Sequence, residues 1–158
     1  MNKGIITVVS TVTGAVIGSV FVGKLAYKKV NLLEEKIERY ITLFQMMDKW
    51  VEIKQEGKNL ATYFQKRGYK KIAVYGMSRA GIALCNELEN SGITVAYGID
   101  KRADLLYADV DIFSIDNSLE LVDAVVVTAV TYFEEIENKV SEKMDCPVIS
   151  LEDILYEV

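Results

Sequence analysis

The spacing of apolar residues changes twice along this chain, and each spacing predicts a different kind of structure. Residues 4–23 contain no charged side chain, and a helix of that length would cross roughly 30 Å of hydrocarbon. From residue 31 onwards, apolar residues recur at steps of three and four, as in an amphipathic helix. After Gly68, short apolar runs alternate with helical patterns, which is typical of a parallel α/β domain. The chain therefore divides into a transmembrane anchor with a basic flank (1–29), a helical linker (30–68) and an α/β domain (69–158).

The linker is predicted to contain one long amphipathic helix and one short helix. Asn31 followed by Glu34 predicts the start of the long helix, since Asn accepts hydrogen bonds from first-turn amides and Glu reaches back. This helix is expected to extend to about Gln55, and the shorter helix ends at Gly68, which suits a left-handed cap. An apolar stripe, with Trp50 beside it, predicts packing on the α/β domain or on a second copy of the chain. The stripe consists of Leu33, Ile37, Tyr40, Ile41, Phe44, Met47 and Val51.

Five apolar runs in the last region predict the strands of a sheet. Residues 123–129 are nearly continuous in β-branched side chains, as in a central parallel strand buried on both faces. Because strands and helices alternate, right-handed crossovers predict a doubly wound, five-stranded parallel sheet with strand order 3-2-1-4-5. Ser150 and Asp153 predict the N-cap of a last helix. The predicted strands are Lys71–Tyr75, Thr94–Asp100, Val110–Ser114, Asp123–Ala129 and Pro147–Ser150, and the predicted helices between them are Ala80–Glu89 and Tyr132–Lys143.

The turn after the first strand has the position and spacing of a phosphate-binding loop. The sequence GMSRAG, from Gly76 to Gly81, follows a strand and opens a helix, like the G-x-G-x-x-G sequence of Rossmann-like nucleotide-binding domains. The first glycine permits a tight turn, the last permits close packing of helix on strand, and the free amides favour a phosphate. Ser78 stands where the second glycine would lie, so its hydroxyl can donate to a phosphate but also narrows the approach. Arg79 suits either a phosphate contact or a place on the surface.

Charged residues follow the second strand at the same edge of the predicted sheet. Asp100 lies 24 residues after Gly76, where an acidic side chain commonly accepts from the ribose hydroxyls of NAD. Lys101 and Arg102 favour a 2′-phosphate or a nucleoside diphosphate, or else form a solvated basic turn. Thr128 closes the fourth strand and is expected to face the same crevice, where the ligand stays open between NAD(P) and a nucleotide-sugar. The candidate cofactor-binding residues are Gly76, Met77, Ser78, Arg79, Gly81, Asp100, Lys101, Arg102 and Thr128.

The composition argues against catalysis by this chain alone. It contains no histidine, which removes the commonest general base and metal ligand together with every Ser-His-Asp and Cys-His scheme. Its 158 residues are too few for a cofactor domain plus the separate substrate domain of most dehydrogenases. Cys85 and Cys146 are far apart in sequence, as expected for free thiols in a reducing compartment. We identify no catalytic residue and no metal-binding set, and favour a binding protein over an enzyme.

The charge distribution predicts an orientation in a membrane and excludes one class of partner. All 23 acidic residues follow position 30, whereas four of the 18 basic residues precede it. The negative downstream part would repel nucleic acid. Lysines at positions 24, 28 and 29 place that part in the cytoplasm by the positive-inside rule, so we expect a single-pass protein of the cell membrane, with a cleaved signal peptide as the rival interpretation. The GxxxG pattern Gly14–Gly18 allows two such membrane helices to pair as a homodimer.

Four segments, Lys70–Gly81, Tyr97–Asp100, Val122–Thr128 and Pro147–Ile154, together carry a resemblance to a known family. They resemble the Rossmann-like domains found with bacterial cell-surface polysaccharide biosynthesis proteins, such as the N-terminal domains of sugar acyltransferases. The resemblance covers about residues 48–158 and implies that the turn faces a nucleotide or nucleotide-sugar, with a polysaccharide-synthesis enzyme as partner. The Gly-x-x-Arg-x-Gly turn and the following Ile-Asp are also similar, more narrowly, to nucleotide-sensing domains of potassium transport systems.

These features together predict a membrane-anchored accessory or sensor protein that binds a nucleotide or nucleotide-sugar in cell-surface polysaccharide biosynthesis. Two alternatives stay open. One is a subunit of an NAD(P)-dependent oxidoreductase that borrows its substrate site from a partner. The other is a scaffold that has lost nucleotide binding and dimerises.

Overall fold

The computed structural model describes residues 3–158, and side chains are described from Ala26 to Val158. Two compact units are present, the first ending at Ile41 and the second spanning Thr42–Val158. The predicted membrane segment, residues 4–23, and its Gly14–Gly18 pattern lie outside the described side chains. Within the described part of the chain, no helix combines the length and the apolar character that a membrane crossing requires.

The first helix, α1, extends over Lys3–Gln55 without interruption. The predicted helix start at Asn31 is therefore wrong, because Asn31 lies inside the helix. No glycine or proline occurs between residues 24 and 55, and the Leu, Glu, Lys and Arg residues after Asn31 all favour helix. Their combined preference outweighs the tendency of one Asn side chain to cap.

The second unit contains a five-stranded parallel sheet with the order β3-β2-β1-β4-β5, which confirms the predicted order 3-2-1-4-5. The predicted third strand is reduced to two residues. The strands are β1 (Lys71–Tyr75), β2 (Thr94–Ile99), β3 (Ile112–Phe113), β4 (Ala124–Val127) and β5 (Val148–Ser150). The remaining helices are α2 (Ala61–Arg67), α3 (Arg79–Leu88), α4 (Phe133–Ser141) and α5 (Leu151–Glu157).

Two helix ends follow their predicted local chemistry. Gly68 ends α2 in the left-handed conformation, with φ of 74°, and the Tyr69 amide closes the cap on the Phe64 carbonyl at 3.0 Å. The Ser150 side chain begins α5 by accepting a hydrogen bond from the Glu152 amide at 3.2 Å. Both caps are confirmed.

The sheet separates two apolar clusters. Ile72 and Val74 of β1 belong to the cluster formed with α2, α3, α5 and the last turns of α1, whereas Ala73 and Tyr75 belong to the cluster formed with α4. This alternation is the period of two expected of a strand. The α1 segment after Thr42 is thus part of the same compact unit as the sheet.

The part of α1 in the second unit buries a different face from the one that the apolar stripe predicts. Met46, Trp50 and Ile53 are buried, whereas Phe44 and Val51 of the stripe are 72% and 51% exposed. Packing on the α/β domain is therefore wrong for Phe44, whereas Val51 lines a groove beside α3 and is half exposed. Periodicity could not select the face, because this stretch of α1 has apolar residues on both sides.

Candidate functional site

The turn after β1 lies at the carboxyl ends of the central strands. Gly76 has φ of +98°, and a Cβ atom at this position would lie 2.8 Å from Thr128 Oγ1. Its amide donates to the Ile99 carbonyl of β2 at 2.8 Å. Position 76 therefore needs glycine both for its backbone conformation and for its space.

Gly81 lies in the first turn of α3, directly against the preceding turn. A Cβ atom on Gly81 would overlap the Gly76 carbonyl oxygen. The start of α3 thus approaches the end of β1 as closely as backbone atoms allow. This is the helix-to-strand packing that the spacing of the two glycines predicts.

Asp100 follows β2, and its carboxylate holds the turn in place. The residue is only 9% exposed. Its Oδ2 atom accepts a hydrogen bond from the Met77 amide at 3.0 Å, and its Oδ1 atom accepts one from the Arg102 amide at 2.9 Å. Each oxygen of the residue predicted to contact ribose is therefore hydrogen-bonded to the main chain.

Thr128 follows β4 and fastens the turn from the other side. Its buried hydroxyl donates to the Gly76 carbonyl at 2.5 Å. The Thr128 amide donates to the Tyr75 carbonyl at 2.9 Å. Thr128 thus lies beside the predicted loop, but its hydroxyl proton is used within the fold.

Met77 contributes its backbone to the turn and its side chain to the core. It is 1% exposed, and a Cβ atom at Gly98 of β2 would lie 2.5 Å from Met77 Cγ. The absence of a side chain at Gly98 makes room for Met77. The sequence predicts Met77 as a cofactor-binding residue, but its side chain points into the apolar cluster.

Ser78 and Arg79 are the exposed residues of the turn. Ser78 occupies the N-cap of α3, yet its side chain makes no capping hydrogen bond. The first-turn amides of α3 have no acceptor within the helix and carry the positive end of the helix dipole. Among residues 26–158, no ion pair or hydrogen bond of the Arg79 side chain is found. This end of α3 therefore presents one uncompensated cation, Arg79, to solvent, whereas the next two residues of the helix, Ala80 and Gly81, are buried.

Lys101 and Arg102 are exposed next to the turn, and each faces a carboxylate. Lys101 Nζ lies 3.7 Å from Glu135 Oε1, and Arg102 Nε lies 3.8 Å from Asp100 Oδ1. Glu135 also accepts a hydrogen bond from Lys139, and this bond lowers the pKa of Glu135. The structure thus brings three cationic side chains to one edge of the sheet, of which Arg79 is the least compensated.

Sequence reasoning missed the environments of two buried tyrosines, of which Tyr75 directly precedes the turn. Tyr75 ends β1, and its hydroxyl is buried with no hydrogen-bond partner among the described residues; burial raises its pKa. The Tyr97 hydroxyl donates to the Glu120 carbonyl, and burial raises the pKa of Tyr97 to about 12. The alternation of apolar residues places both tyrosines in strands but reveals neither hydroxyl environment.

Neither a metal-binding cluster nor an activated thiol is found among the described residues. No group of three or more His, Cys, Asp or Glu side chains within them could hold a metal ion. Burial raises the pKa of both thiols, Cys85 and Cys146, so neither has the thiolate character of a nucleophile. A shallow apolar groove between α1 and α3 is lined by Trp50, Val51 and Ala83 among others and contains no residue of the turn.

No family model matches this sequence, and no curated protein matches it either.

Proposed function

We propose that the second unit binds the phosphate groups of a nucleotide or nucleotide-sugar at the start of α3. The observation that carries the proposal is the start of α3, where Ser78 and Arg79 are exposed, the Ser78 side chain caps no amide, and Arg79 lacks an ionic partner among the described residues. Amides at a helix start favour anions through their free N–H groups and the helix dipole. The guanidinium can add a bidentate contact to a phosphate.

The surrounding charges support a phosphate over a neutral ligand. The chain carries more acidic than basic residues, yet Arg79, Lys101 and Arg102 are all exposed at this edge of the sheet. A local cluster of cations in a negative protein attracts a small anion more readily than a long polyanion. A nucleoside diphosphate is the moiety shared by NAD(P) and nucleotide-sugars, so it is the ligand class that we assign.

Asp100 supports recognition through phosphate more than through ribose. Both of its oxygens already accept main-chain hydrogen bonds, so a ribose diol would have to share them. The role that we propose for Asp100 is to hold the Met77 amide and thereby fix the loop that receives the phosphates.

The location and the pathway are part of the same proposal. The uncharged segment at residues 4–23 anchors the chain in the cell membrane, with the α/β unit in the cytoplasm. An accessory or sensor role is favoured over catalysis, because a chain without histidine lacks the commonest acid–base group. The bound nucleotide, or its signal, would pass to an enzyme of cell-surface polysaccharide synthesis.

Isothermal titration of the full chain, in a mild detergent, with ADP, UDP-sugars, NAD and NADP tests the proposal. Ser78→Asp is the sharpest variant, since Asp is a good N-cap residue but places a negative charge where the phosphate would bind. We expect Ser78→Asp to keep or raise the melting temperature of the free protein and to abolish nucleotide binding.

Arg79→Gln is the second variant, with the exposed Lys66→Gln of α2 as its control. Loss of a charge-assisted contact of about 1.5–3 kcal/mol should weaken binding by roughly 10-fold to 150-fold, whereas Lys66→Gln should leave affinity unchanged. If Ser78→Asp bound the nucleotide with unaltered affinity, the ligand would not bind at this turn. If none of the four ligand types bound, the result would favour the alternative of a scaffold that has lost nucleotide binding.

A further inference from the structure

The exposed side of α1 has the pattern of a coiled-coil seam. Apolar residues alternate at steps of three and four from Val30 to Val51, which spans three heptads and matches the 3.5-residue repeat of helices that wind around each other. We call these positions the α1 seam. Its a positions are Val30, Ile37, Phe44 and Val51, and its d positions are Leu33, Tyr40 and Met47.

Most of the α1 seam is open to solvent. Phe44 is 72% exposed, Tyr40 64% and Leu33 55%, and each remaining residue except the half-buried Met47 is also more than half exposed. Soluble proteins rarely expose a continuous apolar band of this length unless it meets a partner. The buried residues Met46, Trp50 and Ile53 lie on another side of the helix, so the seam is not required for the core of the second unit.

We infer that a second copy of this chain covers the α1 seam, in a parallel two-stranded coiled coil. Val30 and Ile37 at a positions, with Leu33 at the d position between them, are the combination that favours two strands. This inference does not depend on nucleotide binding.

One charge pair beside the seam favours the parallel orientation. Lys29 and Lys36 occupy g positions, and Glu34 occupies an e position. In a parallel pair, a g residue faces the e residue five positions later in the partner, so Lys29 of each copy faces Glu34 of the other. An antiparallel pair overlapping along the whole seam would instead place Lys29 beside the partner's residues near Val51, away from Glu34.

The C-terminal end of the α1 seam borders an apolar groove that a partner helix can fill. Met47 and Val51 of the seam line this groove together with Trp50 and with Ala83 of α3. A second helix lying beside Met47 and Val51 would therefore contact α3 as well as α1. This adds contacts with α3 to those made by the three heptads.

The oligomeric state of the full chain, measured by light scattering in a mild detergent, tests the inference. We expect a dimer for the natural sequence and a monomer for Ile37→Asp, because the seam would bury an unpaired charge. Gln45→Asp is the matched control, since it places the same residue at an exposed position of the same helix outside the seam, and it should stay dimeric. A monomeric natural chain, or a dimeric Ile37→Asp chain, would overturn the inference.

Charge exchange and crosslinking test the orientation. Lys29→Glu and Glu34→Lys should each weaken the dimer, and the double variant should restore it. Under mild oxidation, Val30→Cys and Val51→Cys should each form disulfide-linked dimers by themselves, because parallel helices bring equal positions together within disulfide distance. If disulfides form only when the two cysteine variants are mixed, the helices are antiparallel and the assigned orientation is wrong.

Discussion

Position 76 requires glycine for two reasons, its backbone conformation and its lack of space, and a comparison with Gly57 separates them. Both Gly76 and Gly57 have positive φ, but only at Gly76 would a Cβ atom meet neighbours, the nearest being Thr128 Oγ1 at 2.8 Å. Around Gly57 nothing lies within 4 Å. A residue with a Cβ atom would therefore have both a strained backbone and a steric conflict at position 76. At position 57 it would have the strained backbone alone.

Gly76→Ala is expected to destabilise the protein more than Gly57→Ala does. The left-handed backbone costs about 1–2 kcal/mol in either variant, and overpacking against Thr128 adds roughly 1–3 kcal/mol at Gly76. Urea unfolding of the two variants beside the natural chain measures the difference. Equal losses would mean that β4 yields to the added methyl group and that the turn is less rigid than its contacts indicate.

Because of Tyr97, the free energy of unfolding should decrease at alkaline pH. Burial raises its pKa to about 12, against about 10 for tyrosine in an unfolded chain. Below the unfolded value both states hold the proton and the full stability is present. As the pH rises through the folded value, the unfolded state has already released its proton, and the contribution of Tyr97 to stability is lost.

Tyr97→Phe should reduce this alkaline loss. At neutral pH the variant loses the hydrogen bond to the Glu120 carbonyl, a change of about 1 kcal/mol. The difference between variant and natural chain should then shrink as the pH rises above about 10. Urea unfolding at a series of pH values measures this difference. A constant difference across the series would show that Tyr97 does not titrate on unfolding.

At the scale of elements, Glu87 ties three segments of the second unit together. Its side chain is 7% exposed and accepts hydrogen bonds from Trp50 Nε1 at 3.3 Å, Lys54 Nζ at 3.0 Å and the Leu60 amide at 3.1 Å. One carboxylate of α3 thus holds both the end of α1 and the start of α2. The three contacts orient the last turns of α1 on the unit that contains the sheet.

Glu87→Ala should cost about 2–3 kcal/mol, because hydrogen bonds to a charged group contribute about 1.5–3 kcal/mol and the Trp50 and Leu60 donors would lose their acceptor. Glu87→Gln keeps one acceptor oxygen and should cost less. Glu89→Ala, exposed at the end of the same helix, is the control and should stay within about 0.5 kcal/mol. A loss in Glu87→Ala no larger than in the control would mean that apolar contacts alone position α1.

Elements with a strong local signal could be predicted from sequence. The β-branched run of β4 predicts a buried central strand, and Gly68 and Ser150 predict two helix ends that the structure confirms. Asn31 gave the wrong helix start because a capping residue competes with the helix preference of all its neighbours. The buried face of α1 could not be predicted, since it depends on which side meets α2 and α3 across many residues of chain.

The candidate site was predictable in position but not in contacts. The Gly76–Gly81 spacing locates the turn, and strand order brings Asp100 and Thr128 beside it. The path of the folded backbone determines that Asp100 accepts a hydrogen bond from the Met77 amide. It also determines that Thr128 donates one to the Gly76 carbonyl. A sequence specifies which side chains can form such bonds but not which backbone group lies nearest.

At the scale of the whole molecule, α1 belongs to both compact units. Residues up to Ile41 fall in the first, and Met46, Trp50 and Ile53 of the same helix belong to the core of the second. The helix therefore carries two kinds of apolar residue, one kind buried within the chain and one kind exposed. A single periodic pattern cannot separate these two uses.

The fixed backbone of the turn has a consequence for the rate of the anion binding that we propose there. Met77 is anchored in the core below Gly98, and its amide is held by Asp100, so the loop is already in place before any anion arrives. Little conformational entropy remains to be lost when a ligand binds. An anion meeting this loop should associate in one fast phase governed by diffusion and salt, with no slower rearrangement after the encounter.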